Sequence, residues 1–264
     1  MSRPSRLAGR YGPWAVVAGA SEGIGAAFAT AFARAGLNLV LAARRPEPLD
    51  ELAATLRGAH GVEARTVAAD LATPAGLEAL TTATDGLDVG LLVANAAYVP
   101  VGRFLDRDVD DLQRVIDLNV TAPLRLSRHY LPAMAARGRG GLILMSSLAG
   151  QQGSPGVTTY AATKAFGAVL AEGLWAELRG SGVDVLACVA GAVETPGLAR
   201  SKPKRAPGTV APAVVVEAAL RALGHGPRVV PGRLMKVSAA LMPRLLPRRG
   251  AIAVIAKASS DLLD

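Results

Sequence analysis

A doubly wound α/β fold, one parallel sheet with helices on both faces, is predicted for this chain of 264 residues by three observations. Short apolar runs alternate with longer helical segments. The runs are continuously apolar rather than alternating, as strands covered on both sides must be. The first run passes through a cluster of glycines straight into a helix, the junction at which such sheets hold phosphates.

In chain order the strand-like runs are WAVVAGA, LNLVLAARR, EARTVAADL, DVGLLVANAA, GGLILMSS and VDVLACVAG. Between them the spacing predicts helices opening near Ile24, Pro46, Pro74, Phe104 and Thr159. Proline is at home in the first turn of a helix because its missing N–H would have no partner there. No linker, low-complexity tract or repeat interrupts this rhythm, so a single domain spanning 1–264 is expected, with its core over about 12–230. After GAVETPGL the stretch SKPKRAPGTVAP has the composition of a surface loop, and a substrate lid is placed at about 197–212. A helix over Ala213–Leu223 and a short strand RVV follow. From about 232 to 264 a basic, apolar extension closes the chain, its helices limited to short pieces by Pro243 and Pro247.

Composition bounds the function. At 51% hydrophobic and 19% charged the chain reads as globular, and no apolar run approaches the roughly 18 residues that cross a bilayer. The N-terminus lacks a secretory apolar core, so a cytoplasmic address is the default expectation. Cys188, the lone cysteine, lies in an apolar run and reads as a buried thiol. The net charge of +8 has no aromatic interleaving or zinc-finger spacing, which favours a solvated basic surface over a nucleic-acid face. His60, His129 and His225 show no ligand spacing and no metal is expected. No G-x-S-x-G elbow is present, so a hydrolase has no nucleophile.

Gly19, Gly23 and Gly25 stand between the first strand and its helix. Glycine permits the tight turn and the close approach of a pyrophosphate to the N–H groups that open the helix. An ordinary strand-to-helix turn is the alternative, but the position at the first β–α junction favours a dinucleotide and hence the Rossmann type of fold. At the end of the second strand, 19 residues after Gly25, stand Arg44 and Arg45 where an NAD site would place a carboxylate. Guanidinium matches a 2′-phosphate in charge and geometry, so NADP is preferred over NAD; solvated strand-end arginines are the other reading.

Tyr160 and Lys164 are four residues apart in a helical segment and share a face. A phenol holds its proton too tightly for good acid catalysis at neutral pH, and a nearby ammonium lowers its pKa. A buried phenol and an unrelated surface lysine would share the spacing.

With AGASEGIG, AADL, VANAA, LNV followed by SS, and YAATK with AGAVETP after it, all in order, the chain resembles the single-domain short-chain dehydrogenase/reductase family over about residues 12–230. The resemblance implies an NADP-dependent oxidoreductase interconverting a carbonyl and a secondary alcohol, the alternative being a catalytically silent NADP-binding regulatory or scaffold protein of the same fold. It completes a catalytic set of Asn119, Ser147, Tyr160 and Lys164. Ser147 is 13 residues before Tyr160 and Asn119 is 28 before Ser147, the family's usual intervals. Ser147 is expected to end the fifth strand and donate to the carbonyl oxygen, and Asn119 to hold a water linking Lys164 to solvent. Cofactor contacts are implied for Gly19, Ser21, Gly23, Ile24, Gly25, Arg44, Arg45, Asp70, Leu71, Asn95, Tyr160, Lys164, Val193 and Thr195.

Three departures from the family pattern stand out. Ala18 replaces a threonine, and Ala94 and Ala97 replace an asparagine and a glycine, removing local hydrogen bonds worth about 1 kcal/mol each. Ala190 replaces a proline, which is expected to loosen the loop after the sixth strand. The small, apolar LAGQQGSPGVTT points to a hydrophobic ketone, steroid or fatty-acyl. The family also implies a homodimer or homotetramer. The basic tail reads as a cover or subunit interface before it reads as a peripheral membrane contact.

Overall fold

Trp14–Ala18 (β1), Asn38–Ala43 (β2), Val89–Ala94 (β4), Gly140–Ser147 (β5) and Val183–Ala190 (β6) supply the apolar centre of a seven-stranded parallel sheet. Ala64–Ala68 (β3) and the two-residue Arg228–Val229 (β7) are its less buried edges. The computed structural model describes residues 3–201 and 208–258, so part of the expected lid, the basic run at 202–207 and the last residues of the tail lie outside the described residues. Strand order is β3-β2-β1-β4-β5-β6-β7, a Rossmann fold whose order reverses between β1 and β4.

Alternation along each strand divides the core between the two faces. Leu39 and Leu41 of β2 join Phe28 and Phe32 of Gly23–Arg34 (α2), with Leu49 and Leu56 of Pro46–His60 (α3). Val40 and Ala42 point the other way, toward Leu77 and Leu80 of Pro74–Thr82 (α4) and Leu126 and Met134 of Ala122–Ala136 (α6). Thr158–Glu177 (α7) covers the same face through Ala168 and Ala171, and Pro212–Ala222 (α9) covers the first through Val215 and Ala219. Alanines in these helices let them lie close against strands already crowded with Leu and Val.

Four local features depart from the sequence reading. Arg3–Tyr11 forms a helix (α1) whose Tyr11 hydroxyl donates to Asp184 at 2.5 Å while Arg10 pairs with the same carboxylate, fastening the N-terminus to β6. The helix expected near Phe104 begins instead at Val109 (Val109–Ile116, α5). Asp108 accepts from the amide of Asp110 and caps it, and Phe104–Asp106 makes only a 3₁₀ turn. Between α5 and α6, residues Asp117–Thr121 form a π-helical segment. In the tail, Pro243 does not end its helix: Arg233–Leu245 (α10) continues past it, and the break falls at Pro247, before Arg248–Ala258 (α11). A proline so near the helix end removes one backbone bond and leaves the preceding turns intact.

Pro196–Ser201 (α8) opens the segment after β6. None of the helices among the described residues is long and apolar enough to cross a membrane.

Candidate active site

Every side chain singled out in the sequence for a cofactor or for catalysis stands at or beyond the carboxyl end of a strand, except those carried by α7 and by the π segment before α6. A doubly wound parallel sheet forces this, because its strand ends meet at one rim and the reversal of strand order opens a crevice there.

The glycine loop leaves β1 with no room for side chains. A Cβ on Gly25 would collide with the Gly19 carbonyl and lie 2.8 Å from Asn95 Nδ2. Gly23 has φ of 60° and sits beneath Thr195, whose Cγ2 would be 2.8 Å from an added Cβ. The Asn95 amide donates to the Gly19 carbonyl at 2.8 Å, and the Ala18 carbonyl accepts from Asn95 N at 3.0 Å and Ala96 N at 2.7 Å. Backbone bonds therefore join the two loops despite Ala18, Ala94 and Ala97. Ser21 and Ile24 are half-buried in the same loop.

Beyond β2, Arg45 pairs with Glu22 at 2.7 Å, whereas Arg44 makes no ion pair among the described residues and faces Asp70. Burial pushes the Asp70 carboxyl up, but the hydrogen bond from Arg114, 2.5 Å away, the Ala72 amide and the charge of Arg44 together hold it below the usual range. Leu71 and Val193 are 2% and 5% exposed, so both are buried at the edge of the crevice. Thr195 Oγ1 accepts from Leu198 N at 3.1 Å and so orders the turn into α8.

Ser147 is the last residue of β5. Its oxygen accepts from the Ala149 amide at 3.2 Å, which leaves its single proton to point elsewhere, and it is near enough to the Tyr160 phenol to act on its proton affinity. The adjacent Ser146 faces inward and donates to the Lys164 carbonyl at 2.7 Å. Lys164, 6% exposed, donates from Nζ to the Met145 carbonyl at 2.9 Å and lies 5.5 Å from the Tyr160 ring centre.

This geometry corrects two expectations. Burial raises the Tyr160 pKa and the Ser147 hydroxyl opposes the rise, so the lysine does not lower it in this arrangement. Lys164 is itself lowered to about 8 by burial. The Asn119 side chain is taken by protein: Oδ1 accepts from Tyr98 N at 2.8 Å, while Nδ2 donates to Tyr98 O at 2.9 Å and to Thr163 Oγ1 at 3.2 Å. Ala190 is the last residue of β6 and stands in register opposite Ser147.

Tyr98, Thr163 and Arg114 were missed in the sequence. Thr163 had a signal, a hydroxyl on the turn between Tyr160 and Lys164; Arg114 reaches Asp70 across 44 positions and had none.

The family model described as short chain dehydrogenase matches residues 13–206. The chain belongs to the short-chain dehydrogenase family. A 7β-hydroxysteroid dehydrogenase of Collinsella aerofaciens is 34% identical over 235 residues, covering 87% of this chain and 89% of its own. A solved 7β-hydroxysteroid dehydrogenase structure superposes with a TM-score of 0.90 at 32% identity, covering 95% of this chain and 99% of the other. A short-chain dehydrogenase from Sphingobium yanoikuyae in complex with NADPH gives 0.76 at 35% identity, covering 83% and 87%. As a short-chain dehydrogenase the chain is an oxidoreductase.

Two outcomes are expected of this short-chain dehydrogenase. Gly25→Ala drives a methyl into backbone and lowers unfolding free energy by about 1–3 kcal/mol, whereas Gly58→Ala, in open space on α3, raises it by about 0.5–1 kcal/mol; urea titrations compare them. Because the folded state binds the Lys164 proton more weakly than the unfolded chain does, the cost of burying it is full below about pH 8 and fades toward the ordinary value of 10.5. Without dinucleotide, Lys164→Met is therefore more stable than wild type at pH 7, and the gap narrows by pH 10. A gap that stays constant across denaturant titrations at the two pH values contradicts this.

Proposed function

We propose that this chain interconverts a hydrophobic ketone and its secondary alcohol with NADP(H), and that Asn119, Ser147, Tyr160 and Lys164 are its catalytic set. The observation that carries the reading is the convergence of Ser147, Tyr160 and Lys164 at the carboxyl rim of β5, beside a glycine loop with no space for a Cβ.

The loop fits a dinucleotide. Gly19, Ser21, Gly23, Ile24 and Gly25 would face the pyrophosphate, and Arg44 the 2′-phosphate, with Arg45 kept aside by Glu22. Asp70 and the Leu71 backbone would border the adenine, Asn95 the middle of the crevice, and Val193 and Thr195 the nicotinamide end. When bound, the nicotinamide supplies or accepts hydride. The NADPH complex of the Sphingobium relative supports this cofactor.

The chain's own residues handle the proton. A phenol whose pKa is raised by burial is protonated at neutral pH, so Tyr160 enters reduction with a proton to give. Ser147, its oxygen oriented by the Ala149 amide, is free to donate toward charge that develops on the carbonyl oxygen. Lys164, with one proton on the Met145 carbonyl, keeps two more for a ribose hydroxyl and for the phenolate that forms. In alcohol oxidation the same groups act in reverse.

The substrate side is apolar. Met235 of α10 packs on Gly191 and reaches toward Leu148, and Ile252 of α11 approaches Gly153. These contacts place the C-terminal helices over the loop that follows Ser147, consistent with a bulky, steroid-like ketone. The hydroxysteroid dehydrogenases among its relatives support the same class.

Tyr160→Phe is expected to cut NADPH-dependent reduction of an oxo-steroid by at least about 100-fold while NADPH still binds. Near-normal turnover in that variant would remove Tyr160 from its role. Arg44→Glu is expected to weaken NADPH about 10- to 100-fold and to leave NADH within a few-fold; equal loss for both cofactors would show that Arg44 does not read the 2′-phosphate.

A further inference from the structure

Residues 95–110, which leave β4 and cross the rim toward α5, contain no buried residue, and of their apolar side chains only Ala96 and Tyr98 lean on the core. A segment with so little apolar burial is ordered by its polar contacts. Asp111 on α5 gathers them: Oδ1 accepts from the Tyr98 hydroxyl at 2.6 Å, and Oδ2 accepts from Arg107 Nη1 at 3.1 Å. Arg107 donates its other terminal nitrogen to the Val101 carbonyl, inside the segment. Gly102 N then donates to the Gly156 carbonyl at 2.9 Å, four residues before Tyr160. One carboxylate thus holds both ends of a loop whose middle is tied to the start of the helix bearing Tyr160. Asp111 and Arg107 are only 23% and 30% exposed at the side chain, so water competes poorly for these bonds. Where the loop meets α7, Pro100, Gly102, Phe104 and Arg107 line a narrow crevice with Val157 and Tyr160.

We propose that Asp111, through Tyr98 and Arg107, is a positioning residue that fixes the 98–107 loop as one wall of the substrate site beside Tyr160. This rests on the carbonyl-reduction reading above. The clamp meets the catalytic set only where Asn119 binds the backbone of Tyr98, not its hydroxyl, and touches neither the glycine loop nor Ser147 and Lys164, so it sets how a ketone is held and not how the cofactor binds. It also holds Phe104, 52% exposed, and Val99, 41% exposed, at the rim, apolar surface suited to a hydrophobic substrate.

The test reads loop order and kinetics separately. In Asp111→Ala, amides of 98–107 should exchange with deuterium faster than in wild type, with exchange in the sheet unchanged. KM for a bulky ketone should rise about tenfold, with kcat within about threefold and NADPH affinity unaltered. Tyr98→Phe, which removes a single hydroxyl, and Arg107→Gln should each give part of the effect, and the double variant should match Asp111→Ala. Asp111→Asn, which keeps one acceptor oxygen and sets an amide NH2 where the other stood, should recover part of the loss through one of the two partners. Wild-type exchange and wild-type KM in Asp111→Ala overturn the proposal. So does a parallel fall in thermal midpoint, kcat and NADPH affinity, the mark of a merely structural ion pair. If Asp111→Ala does not fold, Tyr98→Phe with unchanged exchange and KM overturns it equally. Should wild type turn over no ketone at all, the reaction reading fails, and exchange alone decides the clamp: no acceleration at 98–107 overturns it.

Discussion

The hydrogen bond from the Asn95 amide to the Gly19 carbonyl, 2.8 Å long, joins the loops after β1 and β4 where the strand order reverses. The crevice exists because helices leave the two neighbouring strands on opposite faces, and the loops that line it have no sheet partner beyond their strand ends. Left to solvent they would splay. The side-chain bond, with two amides on the Ala18 carbonyl, holds them at one separation, and the Gly25 position admits nothing larger than hydrogen between them. The rim residues of β5 and β6 are arranged relative to that fixed seam.

A second constraint is the burial of charge. Lys164 is as enclosed as a core leucine, and the fold tolerates it because its ammonium meets the Met145 carbonyl and its own carbonyl accepts from Ser146. Both bonds come from β5, so the strand that ends in Ser147 also fixes the lysine one helical turn from Tyr160. Sheet register and site geometry are therefore one quantity here: a slip of β5 by one residue would exchange Ser146 with Ser147 and reverse which hydroxyl meets the phenol.

The fold was legible in the sequence because parallel strands must be apolar on both faces, and runs such as LNLVLAA and GGLILMSS admit few other uses. The clustering of Tyr160, Lys164 and Ser147 was legible for a related reason: strand ends converge, and i, i+4 spacing puts the first two on one face. What stayed hidden was set by partners distant in the chain. Asn119 spans 44 positions to Thr163, and Asp111 spans 13 to Tyr98. The direction of the Tyr160 shift was missed because spacing places the lysine near but cannot say that its ammonium turns to the Met145 carbonyl, or that burial outweighs charge. Helix α1 was missed because its nine residues carry few apolar ones to mark a buried face, although Pro4 stands in its first turn; its last turn is secured through Tyr11 and Arg10 on Asp184. Proline likewise misled at 243, since near the end of α10 its missing N–H removes little.

The π-helical segment at Asp117–Thr121 gives the chain between α5 and α6 a register that ordinary helix would not have. Such a segment amounts to one residue inserted into an α-helix, and each residue turns a helix by roughly 100°. Deleting one residue there would regularise the backbone and swing α5 around the axis relative to α6, carrying Asp111 off Tyr98 and Arg114 off Asp70 together. Insertions and deletions, usually tolerated between helices, are in this connection confined by an ion pair, a tyrosine hydrogen bond and an asparagine that all need the same phase.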